Sequence, residues 1–407
     1  MKKFLAYLCF VFVSLQARGE TVDELKSYIK DLEKRIEKIE KEEKKSNTNT
    51  NFDFGKVSIG GYIKVDLLYD MGVHAGDSVF LPTISTNEEH SKGEKTRIHA
   101  RESRLNLTYN DKSKYGDVKA FIEADFYGTK GEENIANGDG LRLRQAYGKV
   151  GNFLFGQTWT NFTDVESMPE TLDFGNPAGM SSTRQAQFRY TIKRNAWQTS
   201  FAVENPESDF IDSNGDSGET TGEKSDPIPD FTILTKYSFN SGHLALAGVY
   251  RQIGADNGFQ SDKVNAYGVA LSGTKNIYKK DNFKFRFNYG DGIGRYIRDA
   301  YKHSASLNQN NYKLDTQTAY GFYVGYQHFW LDNLRSSLIY GLTEMDNNTE
   351  VIGTGENKKL ETIHTNLIYS LEHNIELGLE YIFGKRELDN GEAGYVRRIQ
   401  FSTKLKF

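Results

Sequence analysis

A two-residue rhythm runs from Lys56 to the last residue of this 407-residue chain, and few folds accommodate it. It is plain at Leu141-Arg142-Leu143-Arg144. Successive side chains of a strand point to opposite faces, so the two leucines share one face and the two arginines the other. A water-soluble sheet buries the leucine face in a core. A transmembrane barrel turns it toward lipid and gives the arginine face to a wet lumen. Four residues do not separate these outcomes.

The remainder of the chain does. Val57, Ile59, Ile63, Val65 and Leu67 oppose Tyr62, Lys64, Asp66 and Asp70. Ala120, Ile122 and Ala124 oppose Lys119, Glu123 and Asp125. Phe283, Phe285 and Phe287 oppose Lys284, Arg286 and Asn288, and Leu377, Leu379 and Tyr381 oppose Glu376 and Glu380. Tyr395, Ile399, Phe401 and Leu405 oppose Arg398, Gln400 and Lys404, with Arg397 an exception on the apolar face. Arg97 and Arg101 share parity with Leu105 and Leu107, so they break the pattern unless a bulge intervenes. Short connections near 111–114, 151–152, 194–195, 240–242, 276–280, 331–333 and 372–374 alternate with long ones. The long ones fall near 71–95, 129–139, 161–183, 205–229, 252–262, 291–313, 345–357 and 386–393. Placing every long loop at one end predicts an all-β transmembrane antiparallel β-barrel of about 16 strands, with short periplasmic turns and long outer loops.

Composition agrees with a barrel. Beyond the N-terminus there is no apolar run of the ~20 residues a spanning helix needs. The 24 tyrosines and 26 phenylalanines are enough for aromatic girdles, and all six prolines fall in loops. The net charge of −4 argues against a nucleic-acid partner. Met1-Lys2-Lys3, an apolar run from Phe4 to Leu15 and Ala17-Arg18-Gly19 read as a signal peptide over 1–19. Its removal takes away Cys9, the single cysteine. In 20–45, Val22, Leu25, Ile29, Leu32, Ile36 and Ile39 form a heptad seam, a short α-helical coiled coil. Ile36 and Ile39 lean toward a trimer, Leu25 and Leu32 toward a dimer. A polar linker over 46–55 precedes the barrel, 56–407. The chain ends on Phe407 after alternating apolar residues, similar to the C-terminal signature of outer-membrane barrels. With the export signal, this points to the cell outer membrane, with the coiled coil in the periplasm.

Several pieces resemble the DcaP family of trimeric outer-membrane porins. They are Gly61-Tyr62-Ile63-Lys64-Val65-Asp66, Arg101-Glu102-Ser103-Arg104-Leu105, Tyr115-Gly116-Asp117-Val118-Lys119 and Leu141 to Gly148. Phe155-Gly156-Gln157-Thr158-Trp159 and Pro169 to Gly175 complete the set. The matches cover roughly 57–192; later strands match only in alternation and in the terminal phenylalanine. The resemblance implies sixteen strands, a homotrimer, and passive diffusion of small anionic solutes such as dicarboxylates. It also implies that 161–183, between the fifth and sixth strands, folds into the lumen as a constriction loop. Phe162, Met168, Leu172 and Phe174 support that independently, since an external loop would leave them in water.

Inward parity selects Lys64, Arg104, Lys119, Arg142, Arg144, Arg189, Lys193, Arg286 and Arg398 as pore-lining, anion-attracting residues. The competing reading pairs them with Glu123, Asp125, Glu376 and Glu380 simply to hold the wall. On the constriction loop, Asp164, Glu166, Glu170 and Asp173 supply an opposed acidic edge, beside Phe174. No cofactor and no metal are expected: the histidines lack ligand spacing. The Asp212-to-Glu223 run has Ser217 where a calcium loop needs glycine. Outer-membrane lipids and lipopolysaccharide are the expected surroundings. Two alternatives are an outer-membrane hydrolase, for which Ser182, His364 and Asp173 would have to meet, and a loop-mediated adhesin. No enzymatic site is expected.

Overall fold

The computed structural model describes residues 30–31, 56–87, 93–129, 138–215 and 224–407. The chain divides into two units, Met1–Gly55 and Lys56–Phe407. Of the first, Lys30 and Asp31 are described and are helical. The signal peptide 1–19, the polar linker 46–55 and the remainder of the coiled coil lie outside the described residues.

The second unit is a barrel of sixteen antiparallel staves. They are β1 (Val57–Met71), β2 (Glu94–His99 and Arg104–Ser113), β3 (Gly116–Asp125) and β4 (Arg142–Val150). Then come β5 (Phe153–Trp159), β6 (Arg184–Arg194), β7 (Trp197–Glu204) and β8 (Lys224–Ser225 and Asp230–Phe239). They continue as β9 (Gly242–Asp256), β10 (Ser261–Asn276), β11 (Asn282–Asp291) and β12 (Thr318–Leu331). The last are β13 (Leu334–Asp346), β14 (Asn357–Ser370), β15 (Ile375–Leu388) and β16 (Ala393–Lys406). Each stave pairs with its neighbours in the chain, and β16 pairs with β1 from Tyr62↔Lys406 to Asp70↔Arg398. That last pairing closes the sheet and leaves no edge strand, the condition for a sheet to cross hydrocarbon.

The faces sort as the alternation requires. Leu141 and Leu379 are 64% and 52% exposed on the outside, whereas Arg286 and Glu380 are 2% and 0% exposed on the inside. A soluble core would have the opposite distribution.

Two irregularities aim the inward side chains. Opposite Ile63, Lys64 and Val65 of β1, β2 carries the four residues Ala100 to Ser103. This extra residue resets the parity between Arg101 and Leu105, so the two arginines do not break the pattern. A second register shift lies between Glu123 and Ala124, opposite Arg144. There Asp125 pairs with Arg142 and Glu123 with Gln145, so Arg144 is the surplus residue.

Two expected long connections are tight turns instead. β9 runs to Asp256 and β10 starts at Ser261, while β15 runs to Leu388 and β16 starts at Ala393. The ladder continues beyond the apolar band, where outward side chains such as Lys263 and Glu387 turn polar and the alternation fades. The Asn257 carboxamide accepts from the Phe259 and Gln260 N–H groups and closes the first of these turns. The connection 292–317 holds a small hairpin, Ala305–Asn308 with Lys313–Thr316, to which Ile211–Asp212 adds in parallel. Phe210, Ala305, Leu307 and Leu314 pack there against Ile253 and Ala266 of the wall.

Candidate functional site

The segment 161–183, joining β5 to β6, lies within the barrel, and its backbone can be followed by its partners. The Phe162 carbonyl accepts from Arg286 of β11 at 2.8 Å. Asp164 accepts from His243 of β9 and Ser272 of β10 at 2.7 and 2.9 Å. Glu166 pairs with Lys236 of β8. Glu170 takes Arg335 of β13 in a fork at 2.6 and 2.7 Å. At Leu172 and Asp173 two successive N–H groups donate to the Glu380 carboxylate of β15, at 2.7 and 3.2 Å. The Leu172 carbonyl accepts from Lys64 of β1 and Gln400 of β16. The return leg donates from the Ala178 and Gly179 N–H groups to Thr362 and Thr343. The segment therefore covers the inner wall from β8 round to β1.

Glycine makes this close approach possible. A Cβ at Gly341 would lie 2.3 Å from the Ala178 carbonyl oxygen, so the wall must be bare there. Gly179 has φ +78 and would crowd the Phe322 backbone at 2.5 Å with any side chain.

The inward cations fall into two groups. Lys64, Arg286 and Arg398 are 1%, 2% and 0% exposed, sealed beneath the segment rather than open to the bore. Lys64 pairs with Glu102 and lies 3.3 Å from Asp66. Arg398 holds Asp70 at 2.6 and 2.9 Å and Asp173 at 3.2 Å. These cations fasten the segment, which is the competing reading of inward charge. Asp164, Glu170 and Asp173 are likewise bonded to the wall and do not stand opposite the remaining arginines as a free acidic edge. Glu166, paired with Lys236, keeps a side chain 65% exposed.

The second group sits on β2, β4 and β6, the arc left uncovered. Arg142 forks Asp125 at 3.0 and 2.7 Å, and Arg144 bridges Glu123 and Asp125 at 2.8 and 2.7 Å. Arg104 lies over the Tyr62 ring, 3.9 Å from Glu123, and its Nε has no hydrogen-bond partner. Arg189 donates to Gln187 and to the Trp159 carbonyl. Arg184 stacks over the Trp159 ring at 4.8 Å. Among the described residues no carboxylate lies within ion-pair distance of Arg184 or Arg189, and the charges of Arg144, Arg142 and Arg104 all act on Arg184. Phe174, at the far end of the inserted segment, stacks on Tyr127 at 4.4 Å and faces the Arg142 and Arg144 guanidiniums at 5.3 and 5.4 Å. Lys119 stands apart, over the Phe121 and Tyr147 rings toward the short-turn end. Above the arc, in the described stretch 72–87 of the connection from β1 to β2, Asp77 is bound by Arg97 and Arg101. Burial opposes its charge, yet the Arg101 hydrogen bond and the neighbouring cations hold its carboxyl below the usual range.

Sequence reasoning overlooked Arg184, Arg335 and His243, and considered His364 only as a member of a hydrolase site. Arg335 and His364 have inward parity and were available to it. Arg184 shares parity with the outward Phe188 and Tyr190, so alternation turns it away from the lumen, yet the charges of Arg144, Arg142 and Asp125 act on its guanidinium. His364 Nδ1 lies 3.0 Å from a Glu380 oxygen and donates to it, since a carboxylate only accepts. His364 and Asp173 are each committed to other partners, and no triad with Ser182 forms. Among the described residues no cluster of potential metal ligands occurs.

A closed sixteen-stranded barrel, apolar outside and charged inside, with one connection folded across its bore, is the architecture of an outer-membrane porin channel. The chain belongs to the DcaP outer membrane protein family, whose model matches residues 23–407. The crystal structure of the outer membrane channel DcaP of Acinetobacter baumannii aligns with TM-score 0.75 at 24% identity, over 86% of this chain and 97% of that one. An anion-selective porin from Comamonas acidovorans aligns with TM-score 0.59 at 12% identity, over 86% and 99%. OmpF of Salmonella typhi, solved with daunomycin, aligns with TM-score 0.56 at 10% identity, over 86% and 97%. These likenesses are of fold. No curated protein sequence matches the chain.

Proposed function

We propose that this outer-membrane channel passes small hydrophilic anions, dicarboxylates among them, by passive diffusion along the arc of β2 to β6. The carrying observation is the imbalance of charge there. Five guanidiniums, those of Arg104, Arg142, Arg144, Arg184 and Arg189, face the two carboxylates of Glu123 and Asp125, and among the described residues no carboxylate lies within ion-pair distance of Arg184 or Arg189. Unpaired cations in a narrow, low-dielectric bore raise the local concentration of anions and repel cations. Guanidinium forks also match a carboxylate in geometry. The segment 161–183 acts as the constriction, since it occupies the opposite wall and brings Phe174 to the arginines. The working unit is a homotrimer, as the family resemblance implies; in the heptad seam Ile36 and Ile39 lean the same way and Leu25 and Leu32 toward a dimer, with the coiled coil on the periplasmic side. Among the described residues the hydrolase candidates His364 and Asp173 are bonded to other partners and do not meet Ser182, and an adhesin gives the inward arginines nothing to do.

Reversal potentials in planar bilayers under a potassium chloride gradient test the proposal. Chloride is expected to permeate in excess of potassium, and Arg184→Gln with Arg189→Gln to reduce that ratio several-fold. Preference for potassium in the unmodified channel would refute the anionic reading while leaving the channel itself.

A further inference from the structure

The outward faces of β13 to β16 align in rungs. One rung holds Leu338, Thr365, Tyr381 and Ile399. The next, one step toward the long loops, holds Tyr340, Ile363, Phe383 and Arg397. Above it come Glu361, Lys385 and Tyr395, then Glu344, Lys359 and Glu387. The apolar band ends at the rung where Arg397 stands.

The other charges in these rungs are matched. Lys385 pairs with Glu387 at 2.6 Å and Lys359 with Glu361 at 3.3 Å. The Tyr340 hydroxyl donates to Glu361 and that of Tyr320 to Glu344. Arg397 is exposed, and among the described residues no carboxylate lies within ion-pair distance of it. Beside it a pocket of about 380 Å³ opens between the top of β16 and the connection after β1, with Ser85, Thr86 and Tyr395 in its lining. The Thr86 hydroxyl donates to Glu392, which leaves an unmatched guanidinium at the edge of hydrocarbon beside the hydroxyls of Ser85 and Tyr395, the chemistry of a phosphate seat.

We propose that Arg397 and this pocket bind the phosphate of an outer-leaflet glycolipid, whose acyl chains lie down the apolar rungs below. The level of the site decides between occupants. A soluble phosphate has no reason to sit at the end of an apolar band, whereas a lipid-borne one is delivered there. A carboxylate on a neighbouring copy is the competing occupant.

The test uses the full-length protein in detergent, titrated with bisphosphorylated lipid A and with its dephosphorylated form, and read by native mass spectrometry. Leucine suits the apolar rung, so Arg397→Leu is expected to keep the heat-modifiable gel mobility of a folded barrel. Bisphosphorylated lipid A is expected to bind the unmodified protein at least tenfold more tightly than Arg397→Leu, with Arg397→Lys between them. The dephosphorylated lipid is expected to bind all three alike. Equal binding of the phosphorylated lipid to the unmodified protein and to Arg397→Leu would overturn the proposal. So would a loss of oligomer on Arg397→Leu in lipid-free detergent, which would assign the guanidinium to a neighbouring subunit.

Discussion

Replacing Glu380 by alanine is expected to release the segment that crosses the bore. The carboxylate accepts the Leu172 and Asp173 N–H groups from that segment, and His364 and the Asn366 carboxamide from the wall. It is fully buried, so water does not replace it while the segment stays seated. Each buried donor left without a partner costs roughly 1–3 kcal/mol. The two N–H groups of the segment alone therefore sum to about 2–6 kcal/mol against the seated form. Even the lower figure changes the ratio of seated to lifted forms by about thirtyfold. Single-channel recording should then show larger conductance with frequent steps between levels, and protease should cut within 161–183. Glu380→Gln keeps one acceptor oxygen and should fall between. A quiet Glu380→Ala channel of unchanged conductance would refute the reasoning, because the segment would then be held without its anchor.

Phe174→Ala removes the ring stacked on Tyr127, worth about 0.5–1.5 kcal/mol beyond the area buried; conductance should rise while chloride preference persists, measured by the same recordings. Arg398→Leu strands Asp70 and Asp173 in the interior at a cost of roughly 3–5 kcal/mol. It should lower the temperature of barrel unfolding on heat-modifiability gels, and Asp70→Asn added to it should recover part of the loss. In the connection 292–317, burial, with Arg386 and Lys302 adding to it, outweighs Asn347 and Asp209 and lowers the His303 imidazole to about 4. The released loop would take up the proton near the ordinary value of about 6.5. The open form thus binds more protons between those values, so loop protection should be full above pH 6.5 and fall as the pH drops toward 4. Hydrogen exchange across 292–317 checks this, and protection unchanged between pH 7 and 4.5 would contradict it.

Most of the wall was legible in the sequence because period two is a local signal and lipid makes it strict. Leu141 beside Arg142, or Leu379 beside Glu380, states its own orientation. The bulge before Leu105 was legible too, since Arg97 and Arg101 would otherwise face hydrocarbon. Strand ends were not legible at 252–262 and 386–393, because outward residues above the apolar band are polar whether or not the ladder continues. The site was read in part. Parity distinguishes inward from outward, so Lys64, Arg286 and Arg398 were rightly turned inward. Parity does not tell which inward residues the inserted segment covers, a question of contacts more than two hundred residues apart, such as Leu172 with Glu380. Arg184 escaped for the same kind of reason: its neighbours Arg104 and Arg144 are near in space and distant along the chain.

The inserted segment touches both ends of the barrel's chain at once: Leu172 bonds to Lys64 of the first stave and Gln400 of the last, and Asp173 to Arg398. Those three partners come together only when the seam between β1 and β16 has zipped. Narrowing of the bore is thereby tied to completion of assembly. A barrel caught half-built lacks these three contacts, and the finished ring gains a latch across its own joint.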